Sequence, residues 1–134
     1  MIDKTGDIFV RNRAFQYPGA ADLNTDAMRE AAAYIVGTHD FKCFETAGGT
    51  PRESTVRTVS RLDITEDDKS IVMEITGDGF LYNMVRIITG TLVEAGAGKR
   101  TPDSVRDAIE SRDRSKAGFT APPQGLYLKE IYFE

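Results

Sequence analysis

The sequence predicts an α+β domain, a mostly antiparallel sheet with helices packed on one face. Three observations carry that expectation. Residues 54–65 are rich in β-branched side chains and end in the acidic turn Glu66-Asp67-Asp68-Lys69, after which Ile71, Met73 and Ile75 alternate with Val72 and Glu74. Two strands in immediate succession read as an antiparallel pair. Beyond the turn signal Gly77-Asp78-Gly79, Met84, Ile88, Thr91, Leu92 and Ala95 recur at helical spacing, and an earlier stripe of Met28, Ala31, Ala32 and Ile35 does the same.

Taken in order, Met1-Ile2-Asp3-Lys4-Thr5-Gly6 reads as the tail of a strand entering a turn, an opening expected of a piece of a longer polypeptide. Residues 7–17 mix Ile8, Phe9, Val10, Phe15 and Tyr17 with Arg11, Asn12 and Arg13, with no clean period, and are expected to be irregular with some extended character. Pro18-Gly19 turns the chain. Asn24 or Thr25 then caps a helix predicted to run to Val36 and to end at Gly37. Residues 38–44 lead into a loop at Gly48-Gly49-Thr50-Pro51. After the strand pair comes the helix over 80–95, then Thr101-Pro102 as a cap with proline in the first helical position, and a short helix to Ser111. A strand over 125–133, apolar on both faces, closes the chain. Three firm strands make a small sheet, so further strands are expected from the Ile8 region, from a partner chain or from sequence before Met1.

The helix over 80–95 organises the rest. At about 100° per residue, its apolar stripe leaves Arg86, Gly90 and Val93 on the opposite side. A face carrying a permanent cation, a glycine and a valine reads either as covered by a second element or, from the pattern alone, as an exposed arginine beside a helix-packing glycine. A covered arginine requires a carboxylate, a phosphate or water. A glycine in a helix interior costs about 1 kcal/mol relative to alanine, which a close approach by another group would explain.

The chain has 134 residues, 40% of them hydrophobic, which bounds it to one domain over 1–134 with a real core. One cysteine and one histidine exclude an internal disulfide framework and a zinc set. No apolar run approaches the roughly 18 residues of a membrane span, and a cytoplasmic protein is expected. The formal charge of -4 argues against gripping nucleic acid by bulk electrostatics and leaves room for local basic groups. Arg11 with Arg13, Arg52 with Arg57, Lys99 with Arg100, and Arg112 with Arg114 and Lys116 are such groups. Interspersed acids make solvated surface the default for each, with Arg57 and the cluster around Arg112 the expected phosphate contacts. His39, beside Asp40, is expected to be a hydrogen-bonded structural residue or a helix-dipole partner rather than a general base. Cys43 has no second histidine to activate it.

Four segments carry a specific resemblance: GTHDFKCF at 37–44, VRTV at 56–59, GFLYNMVRIITGTLVEAG at 79–96 and APPQGLYL at 121–128. In this order they resemble the C-terminal half of the tRNA pseudouridine synthase A family, over essentially the whole chain. The resemblance implies one half of a two-part α+β fold around a cleft, in a homodimeric enzyme that isomerises uridine to pseudouridine in the anticodon stem and loop of tRNA without a cofactor. The family's nucleophilic aspartate lies in an R-T-D-x-G motif of the N-terminal half, which is absent here, as is a tyrosine expected just before the first residue. By the same resemblance Arg86 matches the arginine that pairs with that aspartate, and Leu126 a leucine lining the uracil pocket. The guanidinium would keep the carboxylate ionised and nucleophilic. With the aspartate absent, Arg86 is expected to be solvated or paired with another anion. Alone the chain is expected to be inactive. A freestanding, non-catalytic tRNA-binding or assembly domain is the alternative. A domain with its own chemistry at His39 or Asp63 is a third reading. Arg61-Leu62-Asp63 carries the nucleophile in other pseudouridine synthase families, yet here the tripeptide sits on a strand and a surface role is expected.

Overall fold

In a computed structural model that describes residues 2–3, 15–17, 19–46 and 54–123, the central hairpin pairs β4 (Val56–Glu66) with β5 (Ser70–Gly77). Asp67 closes the turn: its Oδ1 accepts the N–H groups of Lys69 and Ser70. The ladder pairs Leu62 with Ile75, Ile64 with Met73 and Glu66 with Ile71. A β-bulge between Val59 and Arg61 shifts the alternation by one residue, so that Val59 and Ile64, on odd and even positions, are both buried.

Three further strands complete a five-stranded sheet: β1 (Ile2–Asp3), β2 (Phe15–Gln16) and β3 (Gly37–Asp40), in the order β2-β1-β5-β4-β3. Ile2 sits between Phe15, in parallel, and Ile71, in antiparallel register. β1 agrees with the strand tail expected at the start. β3 corrects the reading of residues 38–44 as a lead into a loop: it pairs antiparallel with β4 from Gly37 against Val59 to Asp40 against Val56.

Helix α1 (Thr25–Ala33) is capped by Asn24, whose side chain accepts the Ala27 N–H, and is three residues shorter than predicted. It lies against β4, where Arg29 Nε donates to the Ile64 carbonyl, and against α2 (Met84–Gly96). A Cβ on Gly96 would stand 2.8 Å from Met28 Cγ, so glycine there sets how closely the two helices approach. Helix α2 begins four residues later than the spacing predicts. Helix α3 (Ser104–Ser111) begins beyond the predicted Thr101-Pro102 start and ends where expected, at Arg112 in the left-handed conformation (φ 57°). One core gathers Ile2, Met28, Ile35, Phe41, Phe44, Ile71 and Leu92 between helices and sheet. The expected strand over 125–133, with Leu126, lies outside the described residues, as do most of the 7–17 segment and the Gly48-Gly49 loop.

Candidate functional site

The loop from β5 into α2 is fastened to the start of β4. Asp78 Oδ1 accepts the Thr58 N–H at 2.9 Å, and the Asp78 N–H donates to the Thr58 carbonyl. Helix α2 then starts from Asn83, which stands in the left-handed region with φ 60° and makes no side-chain cap. Three residues on, Arg86 is half-buried.

The side of α2 that carries Arg86 and Gly90 is covered by residues 117–123 of the same chain. This strap is attached at four places. The buried Gly118 N–H donates to Thr91 Oγ1 at 2.8 Å, while that hydroxyl donates to the Ile87 carbonyl. The Phe119 N–H donates to Glu94 Oε2. The Ala121 N–H donates to the Arg86 carbonyl at 3.0 Å, and Arg86 Nε donates back to the Ala121 carbonyl at 2.7 Å. From the far side, Arg114 reaches the Gly118 carbonyl and Thr120 Oγ1. Two glycines permit this approach. A Cβ on Gly90 would lie 1.8 Å from the Phe119 carbonyl oxygen, and one on Gly118 would lie 2.7 Å from Thr91 Cα. No side chain fits at either place.

Arg86 is thereby held between two neutral acceptors. Besides Ala121, its Nη1 donates to Asn83 Oδ1 at 3.0 Å. Among the described residues it has no carboxylate partner and its Nη2 edge takes no bond. Backbone and amide oxygens fix this half-exposed group, contacts that the expectation of a solvated or anion-paired arginine did not include. A fixed, half-desolvated guanidinium with no carboxylate partner among the described residues is suited to receive an anion.

Arg57 stands at the same end of the sheet, near the start of β4. Its Nη1 donates to the carbonyls of Ser54 and Val56, and a Cβ on Gly79 would meet its Nε at 3.5 Å. Arg112 is exposed and lies 3.5 Å from Asp40, whose other oxygen accepts from Thr55 Oγ1 and the Lys42 N–H. The structure therefore brings Arg57, Arg86 and Arg112 to one end of the sheet, where β3 and β5 finish and β4 starts. Arg11, Arg13, Arg52 and Leu126 lie outside the described residues.

Two other basic residues depart from expectation, Arg114 from the phosphate contact expected of its cluster and Arg100 from a solvated surface. Arg114 is spent on the strap. Arg100 is largely buried, donates to the Lys116 carbonyl and approaches Glu94 at 4.0 Å; among the described residues its Nε and Nη1 have no hydrogen-bond partner.

The other candidates are structural. Asp63 is exposed on β4, opposite Glu74 and ion-paired with Arg61. Six residues separate it from Arg57, roughly 20 Å along a strand. His39 Nε2 contacts the Val36 carbonyl at 3.2 Å and the ring stands edge-on to Phe41. Cys43 is buried and its thiol is pushed up to about 12 by desolvation, so it stays protonated and non-nucleophilic. Among the described residues no group of acidic, histidine or cysteine side chains could hold a metal ion, and no helix is long and apolar enough to cross a membrane.

Sequence reasoning missed Asn83 and Arg114. Asn83 fell inside the predicted helix, and Arg114 fell within a run of charge that masked its separate role. The pairing of Gly90 with Gly118 was the available signal for the strap.

A family model described as tRNA pseudouridine synthase matches residues 31–134. A tRNA pseudouridine synthase A of Bacillus subtilis (strain 168) is 48% identical over 132 residues, covering 98% of this chain and 52% of that protein. The protein of the same name from Geobacillus sp. (strain WCH70) is 48% identical over 133 residues, 99% of this chain and 52% of its own length. That of Acetivibrio thermocellus is 50% identical over 111 residues, 83% of this chain and 45% of its own length. The chain spans about half the length of the relatives it matches. With the match extending across α2, the strap and the sheet, the chain belongs to the tRNA pseudouridine synthase family.

Proposed function

We propose that the chain is the C-terminal half of a tRNA pseudouridine synthase and supplies one wall of a cleft in which uridine of the tRNA anticodon stem and loop is isomerised to pseudouridine. The observation that carries this is Arg86, a half-buried guanidinium with no carboxylate among the described residues, oriented by Ala121 and Asn83. In the assembled enzyme it meets the nucleophilic aspartate of the N-terminal half and keeps that carboxylate ionised. Leu126, which follows the strap in sequence, lines the uracil pocket. Arg57 and Arg112 meet tRNA phosphates. The reaction neither gains nor loses atoms, so no cofactor or co-reactant is consumed. The working enzyme is a cytoplasmic homodimer of two-part subunits.

Near-complete coverage of this chain at 48% identity, against about half of the relative, supports a division of labour between two halves. The test is pseudouridine formation on unmodified tRNA by this chain alone and with a separately produced N-terminal half. Activity only in the mixture is expected. Tight tRNA binding with no activity in either case would instead favour a freestanding binding domain, and activity of the chain alone would return attention to Asp63.

A further inference from the structure

Asn83 breaks two local rules at once. A residue before the first turn of a helix ordinarily has extended backbone and turns its side-chain oxygen onto a free N–H of that turn. Asn83 does neither. Its backbone is left-handed (φ 60°, ψ 13°), a conformation that asparagine reaches more readily than other non-glycine residues but that gives up the ordinary cap geometry. Its oxygen accepts instead from the Arg86 guanidinium, through Nη1 at 3.0 Å. The other end of the amide is also engaged: Nδ2 donates to Thr46 Oγ1 at 3.3 Å, and the Thr46 N–H donates to the Tyr82 carbonyl at 3.1 Å. The orientation of the amide is therefore determined, oxygen toward Arg86 and nitrogen toward Thr46. A forgone cap at a residue that instead fixes a charged neighbour points to a functional constraint.

We propose that Asn83 is a positioning residue for Arg86, linking Thr46 to the guanidinium and leaving its Nη2 for an incoming anion. The inference rests on the proposed pairing of Arg86 with a carboxylate for its meaning in catalysis, but the hold on the guanidinium is a property of this chain by itself. Two acceptors divide the task. The Ala121 carbonyl fixes Nε from the strap, and Asn83 fixes the far side of the guanidinium plane through Nη1. An amide is suited to this role because it accepts without neutralising the charge. A carboxylate at the same position would pair with Arg86 and compete with the incoming aspartate.

The decisive substitution is Asn83→Gly. Glycine adopts the left-handed conformation without strain, so the backbone is kept and only the amide is removed. In the chain alone, NMR of the arginine side chains reads the hold directly. The Arg86 Nη1 protons are expected to exchange slowly in the wild type and fast in Asn83→Gly, while Nε, bonded to Ala121, stays protected in both. Equal Nη1 protection in the two proteins would overturn the proposal. With the N-terminal half added, Asn83→Gly is expected to lower kcat by about tenfold to a hundredfold with little change in KM for tRNA. Asn83→Asp is expected to lower kcat further and to move the acid limb of the kcat profile to higher pH, because a guanidinium shared with the introduced carboxylate no longer holds the nucleophile's pKa down. If the wild-type mixture is inactive while the NMR difference is present, the functional reading fails and the positioning of Arg86 stands. An active Asn83→Gly mixture with unchanged kcat and pH profile would overturn its catalytic part.

Discussion

The two sides of α2 are built from different interactions. On one side Met84, Ile88, Leu92 and Ala95 are buried against the core, and cohesion there is apolar and non-directional. On the other, Arg86, Gly90, Thr91 and Glu94 hold the strap by hydrogen bonds and by close backbone approach. Apolar packing tolerates small shifts, whereas a backbone carbonyl where a Cβ would stand tolerates none. The first side keeps the helix folded. The second fixes where one charged group points and where the chain travels after residue 123.

Leu92→Ala, on the apolar side, should show the largest effect on stability, about 2–5 kcal/mol from lost burial and the cavity left behind; the urea midpoint reads it. Gly90→Ala sharpens the contrast by its sign. In an isolated helix the change stabilises by about 1 kcal/mol. Here the new methyl collides with the Phe119 carbonyl, and a loss of about 2 kcal/mol is expected, with hydrogen exchange accelerated at Gly118, Phe119 and Ala121 and unchanged in β4 and β5. A stabilised Gly90→Ala would show that the strap is not seated as described. Thr91→Val keeps the shape but leaves the buried Gly118 N–H without an acceptor, and about 1–3 kcal/mol is expected from chemical denaturation.

The smallest effect concerns Cys43, at the end of the sheet where the arginines gather. Its thiol is raised from 9.0 to about 12 by burial. Above pH 9 the unfolded chain releases this proton while the folded chain keeps it. The contribution to stability is therefore whole below pH 9 and is lost as pH rises from 9 toward 12. Cys43→Ala should flatten the alkaline fall in stability over that window. At pH 8 a thiol reagent should label the wild type only after urea is added.

The hairpin and the apolar face of α2 were legible because each is written in local periodicity, although Thr91, read with that face, turns its hydroxyl to the strap. The spacing of Arg86 and Gly90 gave a covered second face as one of two readings before the covering segment was known. Boundaries read less well. Leu81-Tyr82-Asn83 continues the helical pattern of α2, yet Asn83 takes a left-handed backbone to reach Arg86 and the helix starts after it. β3 carries no alternating pattern in Gly37-Thr38-His39-Asp40; its strand character comes from pairing with β4, a partner about twenty residues away in sequence. The pairing of Ile2 with Ile71 is more distant still. At the site, the helical wheel set Arg86 apart from the core, and the family resemblance gave it a role. Its ligands were not, because Ala121 contributes a backbone carbonyl, which any residue could supply. Arg100 read as surface charge and Arg114 as part of a phosphate-contacting cluster, since a run of charged residues does not reveal which member turns inward.

The most direct measurement sets stability beside activity for Arg86→Lys. Lysine keeps the charge and one donor but not the two-sided geometry of the guanidinium. In the presence of the N-terminal half, pseudouridine formation on unmodified tRNA should fall by about a hundredfold or more, while the urea midpoint of the variant corresponds to a loss of no more than about 1 kcal/mol. Activity within a few-fold of wild type, or a loss matched by general unfolding, would contradict a guanidinium held for catalysis and leave Arg86 as a fastening for the strap.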